Sequence, residues 1–130
     1  VLGTRWSLTR SGDLLSCTAL VTGPQGTRDV FLLLDTGSNY TVVAMEILEA
    51  IGCSAAASRD RVRITTADGV LIAPRVLVSS LTVFGRQIAD AGLIAHDLPF
   101  AGPIDGLLGM DVLTALQARI DIRAASIEID

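Results

Sequence analysis

Short runs of β-prone residues, separated by turn signals at close intervals, restrict this chain to an all-β or mostly β domain. Residues 14–21 form the first strong run, and Gly23, Pro24, Gln25 and Gly26 turn it into a second run at 27–34, which predicts a hairpin. A second hairpin is predicted from 62–66 and 70–78, which flank Asp68-Gly69, a dipeptide whose two positions tolerate positive φ. Pro74 lacks a backbone donor, so that part of the second arm belongs at a sheet edge or bulge. Gly85-Arg86 reads as a turn between 81–84 and 88–94, and 96–103 as a loop. In the tail Ile120 and Ile122 are expected to face Ile127 and Ile129 in a closing hairpin. Only two segments have helical spacing: 44–51, which Gly52 can cap, and 111–118. No internal repeat is evident in the sequence.

Half of the 130 residues are hydrophobic, and 14 acidic against 10 basic side chains give a net charge of -4. That composition fits one domain over 1–130 with its own core, and it excludes disorder. The acidic balance offers no electrostatic footprint for nucleic acid. Unbroken apolar stretches such as 30–34 fall far short of the roughly 20 residues that cross a bilayer, so no membrane contact is expected from this segment. The chain starts at Val1 without a Met. It reads as an excised or processed piece, and a signal or membrane-tethering segment could precede it. Cys17 and Cys53 are too few for a disulfide framework and are expected as buried free thiols, so the compartment stays open.

The continuous apolar run at 30–34 suits a strand buried on both faces, and it stops abruptly at Asp35. A carboxylate directly after five apolar residues is costly unless it sits at an exit from the core. Thr36, Gly37 and Ser38 follow, supplying two hydroxyls and one position without a side chain around that acid. Local chemistry alone also fits an ordinary strand-to-turn junction.

A second motif lies late in the chain, Ile104-Asp105-Gly106-Leu107-Leu108-Gly109, followed by the helical Met110-Asp111-Val112-Leu113. Together with Leu32-Leu33-Leu34-Asp35-Thr36-Gly37-Ser38 it resembles the retroviral-type aspartic proteases, or retropepsins, and among them the single-domain bacterial members. The resemblance covers about 14–116 and implies a closed, barrel-like, mostly β acid-protease fold with one or two short helices. It implies Asp35 as the catalytic carboxylate and Thr36 as a brace for the opposing subunit's loop. Gly37 would then meet substrate backbone, and Ser38 would hydrogen-bond the carboxylate. Leu107, Leu108 and Gly109 fill the family's late motif. Ala67, Asp68 and Gly69 would form the flap that closes over substrate, with Tyr40, Ile72 and Leu93 as pocket residues. The implied activity is endopeptidase cleavage of extended peptides, without metal or other cofactor.

Two acids a few Å apart share one proton, so that one activates water and the other protonates the scissile carbonyl. This chain has one Asp-Thr-Gly, so the resemblance implies a homodimer with one Asp35 from each subunit. Asp105 and Asp111 lack a following Thr-Gly and read instead as a turn residue and a helix-start carboxylate. Asn39 and Met110 stand where retroviral enzymes often have an ion pair, so the dimer must rest on other contacts. His96 cannot make a multi-histidine metal site, and no H-E-x-x-H, C-x-x-C or phosphate-binding loop occurs. A pairing of His96 with Cys17 or Cys53 stays open, although neither cysteine lies in a nucleophile motif. The rival reading is a non-catalytic dimerisation or peptide-binding module with the same fold.

Overall fold

The computed structural model describes residues 3–66, 69–99 and 102–130. The chain begins with β1 (Thr4–Ser7) and β2 (Thr9–Ser11), then the long hairpin of β3 (Leu14–Gly23) and β4 (Gly26–Leu34). Next come β5 (Val42–Val43), α1 (Met45–Ala50) and a 3-10 turn at Ala55–Ala57, followed by β6 (Arg61–Thr66) and β7 (Gly69–Leu77). A short hairpin of β8 (Ser80–Val83) and β9 (Arg86–Ala89) precedes β10 (Gly92–Ala95). The chain ends with β11 (Gly106–Leu108), α2 (Met110–Ala115), β12 (Arg119–Asp121) and β13 (Ser126–Ile129).

The fold is mostly β with two short helices, as expected, and its main sheet curls into half a barrel. The strands run β6-β7-β10-β5-β11-β4-β3-β8-β9, with β2 added beside β3. A separate sheet, β1-β13-β12, joins the two ends of the chain, with Trp6 opposite Ile127 and Ile120 opposite Ile127 on the other side. One apolar cluster lies inside the curl, with Leu32, Leu48, Ile51, Leu81, Leu93, Leu108, Ile127 and Ile129 all essentially sealed from water. Each such side chain contributes about 1.5–3 kcal/mol by leaving water.

The middle of the sheet repeats a path that the sequence does not. β4 and β5 are consecutive, yet β11 lies between them, parallel to β4 and antiparallel to β5. Likewise β10 and β11 are consecutive, and β5 lies between them, parallel to β10. The residue after β4, Asp35, donates its N–H to Leu108 O at the end of β11 (3.0 Å), and the residue after β10, His96, donates to Val43 O at the end of β5 (3.2 Å). Each crossing leads into a helix, and both helices end alike. Gly52 N–H bonds Glu49 O and Cys53 N–H bonds Leu48 O after α1, while Gln117 N–H bonds Thr114 O and Ala118 N–H bonds Leu113 O after α2. These pairs are the double bond pattern of a left-handed C-terminal cap. Gly52 takes φ +85° there, confirming its role as a cap, whereas Gln117 takes φ +50° without being glycine.

Several local expectations change. Phe31 is 45% exposed, so β4 is not buried on both faces along its length; Val30 and Leu32 enter the core, and the opposite face is covered only from Leu33 onward. The β-prone residues 40–43 form a strand only at Val42–Val43. The turn between β8 and β9 falls on Phe84-Gly85, both at positive φ, one residue before the expected pair. The run at 88–94 breaks at Asp90, whose φ of +52° reverses the chain between β9 and β10. Ile122 lies beyond the strand and is exposed, while Ile129 pairs with Thr4 of β1 instead. Pro74 sits where β7 pairs with β6 alone, just before β10 joins at Arg75, as an edge position requires.

Candidate active site

The Asp35 loop hangs from the end of β4 and turns back on itself. Gly37 N–H donates to Asp35 Oδ1 at 2.9 Å, and Ser38 N–H donates to Asp35 O at 3.2 Å. Asp35 is half-buried, while Thr36 and Gly37 are exposed. Ser38 Oγ does not reach the carboxylate as expected; it donates to Tyr40 O at 2.7 Å and so shapes the loop's return into β5. The loop is short enough that its own carbonyl lies nearer to that hydroxyl than the acid does.

The start of α2 holds this loop from behind. Met110 N–H donates to Ser38 O (2.8 Å) and Asp111 N–H to Asn39 O (3.2 Å). Thr41, fully buried, donates its hydroxyl to Asp111 Oδ1 (2.8 Å) and its N–H to Asp111 Oδ2 (3.1 Å), and the same hydroxyl accepts Gly109 N–H (3.0 Å). Asp111 Oδ1 also accepts Val112 N–H at 2.8 Å. Asp111 is thus a helix-start carboxylate, as read from the sequence, and also the anchor of the strand that carries the loop away. Asp105 is a structural clamp: its Oδ2 accepts Phe31 N–H (2.9 Å) and its own N–H donates to Phe31 O (2.8 Å).

The late motif's glycines have a steric cause. A Cβ at Gly109 would lie 2.3 Å from Tyr40 O, and one at Gly106 only 1.8 Å from Val42 O. The backbone of the first crossing passes directly over both positions. Between them Leu108 enters the core opposite Leu34, and Leu107 turns half-exposed toward the Asp35 side.

An open cleft of about 270 Å³ adjoins the acid. It is lined by Asp35, Gly37, Ser38, Asn39, Tyr40 and Leu107 on one side and by Arg63, Ile64 and Thr65 of β6 on the other. Tyr40 is therefore in the cleft. Leu93 is not: β10 is an interior strand and Leu93 points into the core, 1% exposed. Ile72 is 64% exposed and does not line the cleft, because it lies on β7, one strand in from the edge strand β6 that forms the wall. Ala67 and Asp68 lie outside the described residues; Gly69 pairs with Thr66 across them. Sequence reasoning missed Thr41, Arg63, Ile64 and Thr65. The only available signal was that the arms of the predicted hairpin must flank whatever its tip covers.

A second groove, of about 330 Å³, opens beside Thr36 and runs along Met110, Leu113, Thr114, Gln117, Ala118 and Ile120. A larger groove, about 580 Å³, lies elsewhere, around the Asp60–Arg75 ion pair. No group of three His, Cys, Asp or Glu that could hold a metal occurs among the described residues. Cys17 and Cys53 are free and buried, as expected. Burial pushes the Cys17 thiol up to about 12, the opposite of what a nucleophilic thiolate requires. No helix among the described residues is long and apolar enough to cross a membrane.

The chain is similar in structure to a retropepsin-like aspartic protease from Rickettsia conorii, with a TM-score of 0.72 and 19% identity over 98% of this chain and 90% of that one. It is also similar to the EIAV protease complexed with the inhibitor HBY-793 (TM-score 0.61, 19% identity, 87% and 97% covered). A third likeness is to the retroviral protease-like domain of Ddi1 from Leishmania major (TM-score 0.63, 17% identity, 92% and 90% covered). No curated protein matches the sequence. These likenesses establish the retropepsin fold, and the family model for aspartyl proteases matches residues 19–112, the greater part of the chain and both motifs. The chain belongs to the aspartyl protease family.

Proposed function

We propose that the protein is an aspartic endopeptidase that acts as a homodimer, with one Asp35 from each subunit forming the catalytic pair. The observation that carries this reading is the cleft itself: a half-buried carboxylate on one wall and the unpaired edge of β6 on the other. A free strand edge offers backbone donors and acceptors to an extended peptide, and alternate side chains of that peptide then fall into the cleft or away from it. The two carboxylates share one proton. The ionised member takes a proton from water as that water attacks the scissile carbonyl carbon, and the protonated member donates to the carbonyl oxygen. Collapse of the tetrahedral intermediate breaks the C–N bond, with the amine leaving protonated. Thr36, exposed beside its groove, would meet the partner's loop, Gly37 would leave room for substrate backbone, and the hairpin tip around Ala67, Asp68 and Gly69 would cover the substrate and exclude water.

The test is cleavage of a diverse peptide mixture between acid and neutral pH by the wild-type chain, by Asp35→Asn, and by mixtures of the two. The carboxamide oxygen in that variant can still accept Gly37 N–H, so the variant is expected to fold while losing the shareable proton and all cleavage. Equal amounts of both chains, allowed to exchange, leave about one quarter of the dimers with two acids, so activity per wild-type chain falls to about half. Unchanged activity per wild-type chain would refute a shared site. Binding without cleavage by the wild-type chain would support a non-catalytic peptide-binding module instead.

A further inference from the structure

We propose that the cleft beside Asp35 contains a subsite for an acidic substrate side chain, and that Arg63 is the residue that selects it. The inference rests on the cleft being the seat of an extended peptide. Arg63 lies on the edge strand β6, and it is the one basic residue lining that cleft among the described residues. Its neighbour Ile64 packs toward Tyr40 and Leu107 in a small apolar cluster, which leaves Arg63 at the rim, exposed.

Four of the other arginines are engaged: Arg75 pairs with Asp60 (3.4 Å), Arg5 with Asp121 (3.6 Å), Arg10 donates to Ile122 O and Arg61 to Ser58 O. No carboxylate among the described residues lies within ion-pair distance of Arg63. The remaining polar side chains of the cleft, Ser38, Asn39, Tyr40 and Thr65, leave its charge uncompensated. In the proposed dimer the two Arg63 side chains hold two positive charges and the Asp35 pair one negative charge. A peptide strand laid along β6 also removes water from the rim, which strengthens any pairing made there. A guanidinium presents a fork of donors that matches a carboxylate in two parallel hydrogen bonds, a geometry that a carboxamide cannot satisfy.

The test uses equilibrium binding of fluorescently labelled, end-capped octapeptides, each carrying one Glu or one Gln scanned along an apolar background. Binding is read on the Asp35→Asn protein, so the result stands whether or not the wild-type chain cleaves. At one or two adjacent positions Glu is expected to bind roughly threefold to tenfold tighter than Gln, with the difference shrinking at high salt. Adding Arg63→Glu should invert that ratio, and Arg63→Lys should keep its sign while reducing it. Equal binding of Glu and Gln peptides, absence of binding by either, or a ratio that Arg63→Glu leaves unchanged would overturn the inference. Cleavage of the same peptides by the wild-type chain is scored separately, so failure of the subsite and failure of the peptidase reading give different results.

Discussion

Replacing Thr41 with Val keeps the shape of a fully buried side chain and removes only its hydroxyl. That hydroxyl makes two contacts, one donated to Asp111 Oδ1 at 2.8 Å and one accepted from Gly109 N–H at 3.0 Å. Hydrogen bonds to a charged group are worth about 1.5–3 kcal/mol net, and a buried N–H left without an acceptor costs about 1–3 kcal/mol. Asp111 retains Val112 N–H and the residue-41 N–H, so the two losses do not add fully, and about 3 kcal/mol is expected. For a chain of this length that corresponds to a drop in Tm of about 10 °C. Urea unfolding and thermal melts at one fixed protein concentration measure it, since dimerisation would make both concentration-dependent. Thr41→Ser is the control: it keeps the hydroxyl and loses one methyl, worth about 1 kcal/mol. The ordering wild type, Ser, Val is the prediction. A Val variant within about 0.5 kcal/mol of wild type, or more stable than Ser, would show that packing and not the hydroxyl holds the loop to α2.

Two further outcomes follow from the same geometry. Gly109→Ala puts a Cβ 2.3 Å from Tyr40 O and 3.0 Å from Ser38 O, both backbone, and is expected to cost about 3 kcal/mol and to reduce any cleavage by displacing the Asp35 loop; wild-type stability would refute the steric reading. Burial raises the Cys17 thiol from 9.0 to about 12, so the unfolded chain ionises there first and binds fewer protons between those values. Stability contributed by the neutral thiol is therefore complete below pH 9 and falls as pH rises toward 12, by up to about 4 kcal/mol. Cys17→Ala should flatten that alkaline decline, which unfolding curves collected from about pH 8 upward will detect.

The parts of the fold visible in the sequence are those with a local cause. The β3–β4 and β6–β7 hairpins announce themselves by turn residues between β-prone arms, and Gly52 marks the end of α1 because only a left-handed residue can satisfy the last carbonyls. Asp35 stood out because an acid after five apolar residues needs an exit from the core. What stayed hidden depends on chain separated by long stretches. β1 pairs with β13 across the whole sequence, yet its four residues are all exposed and carry no apolar alternation to betray it. Thr41 and Asp111 are joined only because β11 inserts between β4 and β5. Phe31 looked buried because a continuous apolar run does not say which of its faces is covered.

The repeated crossing at the centre of the sheet bears directly on why the proposed catalytic pair calls for two chains. Two equivalent strand ends exist, and Asp35 occupies one while His96 occupies the other. Parallel pairing puts the ends of β4 and β11 at one end of the motif, and the ends of β5 and β10 together likewise. Antiparallel pairing of β5 with β11 puts those two ends on opposite sides. An acid in place of His96 would therefore face away from Asp35, and no duplication of the motif within this half-barrel could bring two carboxylates together. The next residue, Asp97, is already committed, since its Oδ1 accepts Met45 N–H at the start of α1 (3.0 Å). In the proposed catalytic pair the second acid would approach from outside the chain, over the exposed Thr36 and Gly37. Only a two-fold axis beside that loop delivers an identical acid in an equivalent setting, which is the condition for two carboxylates to share one proton evenly.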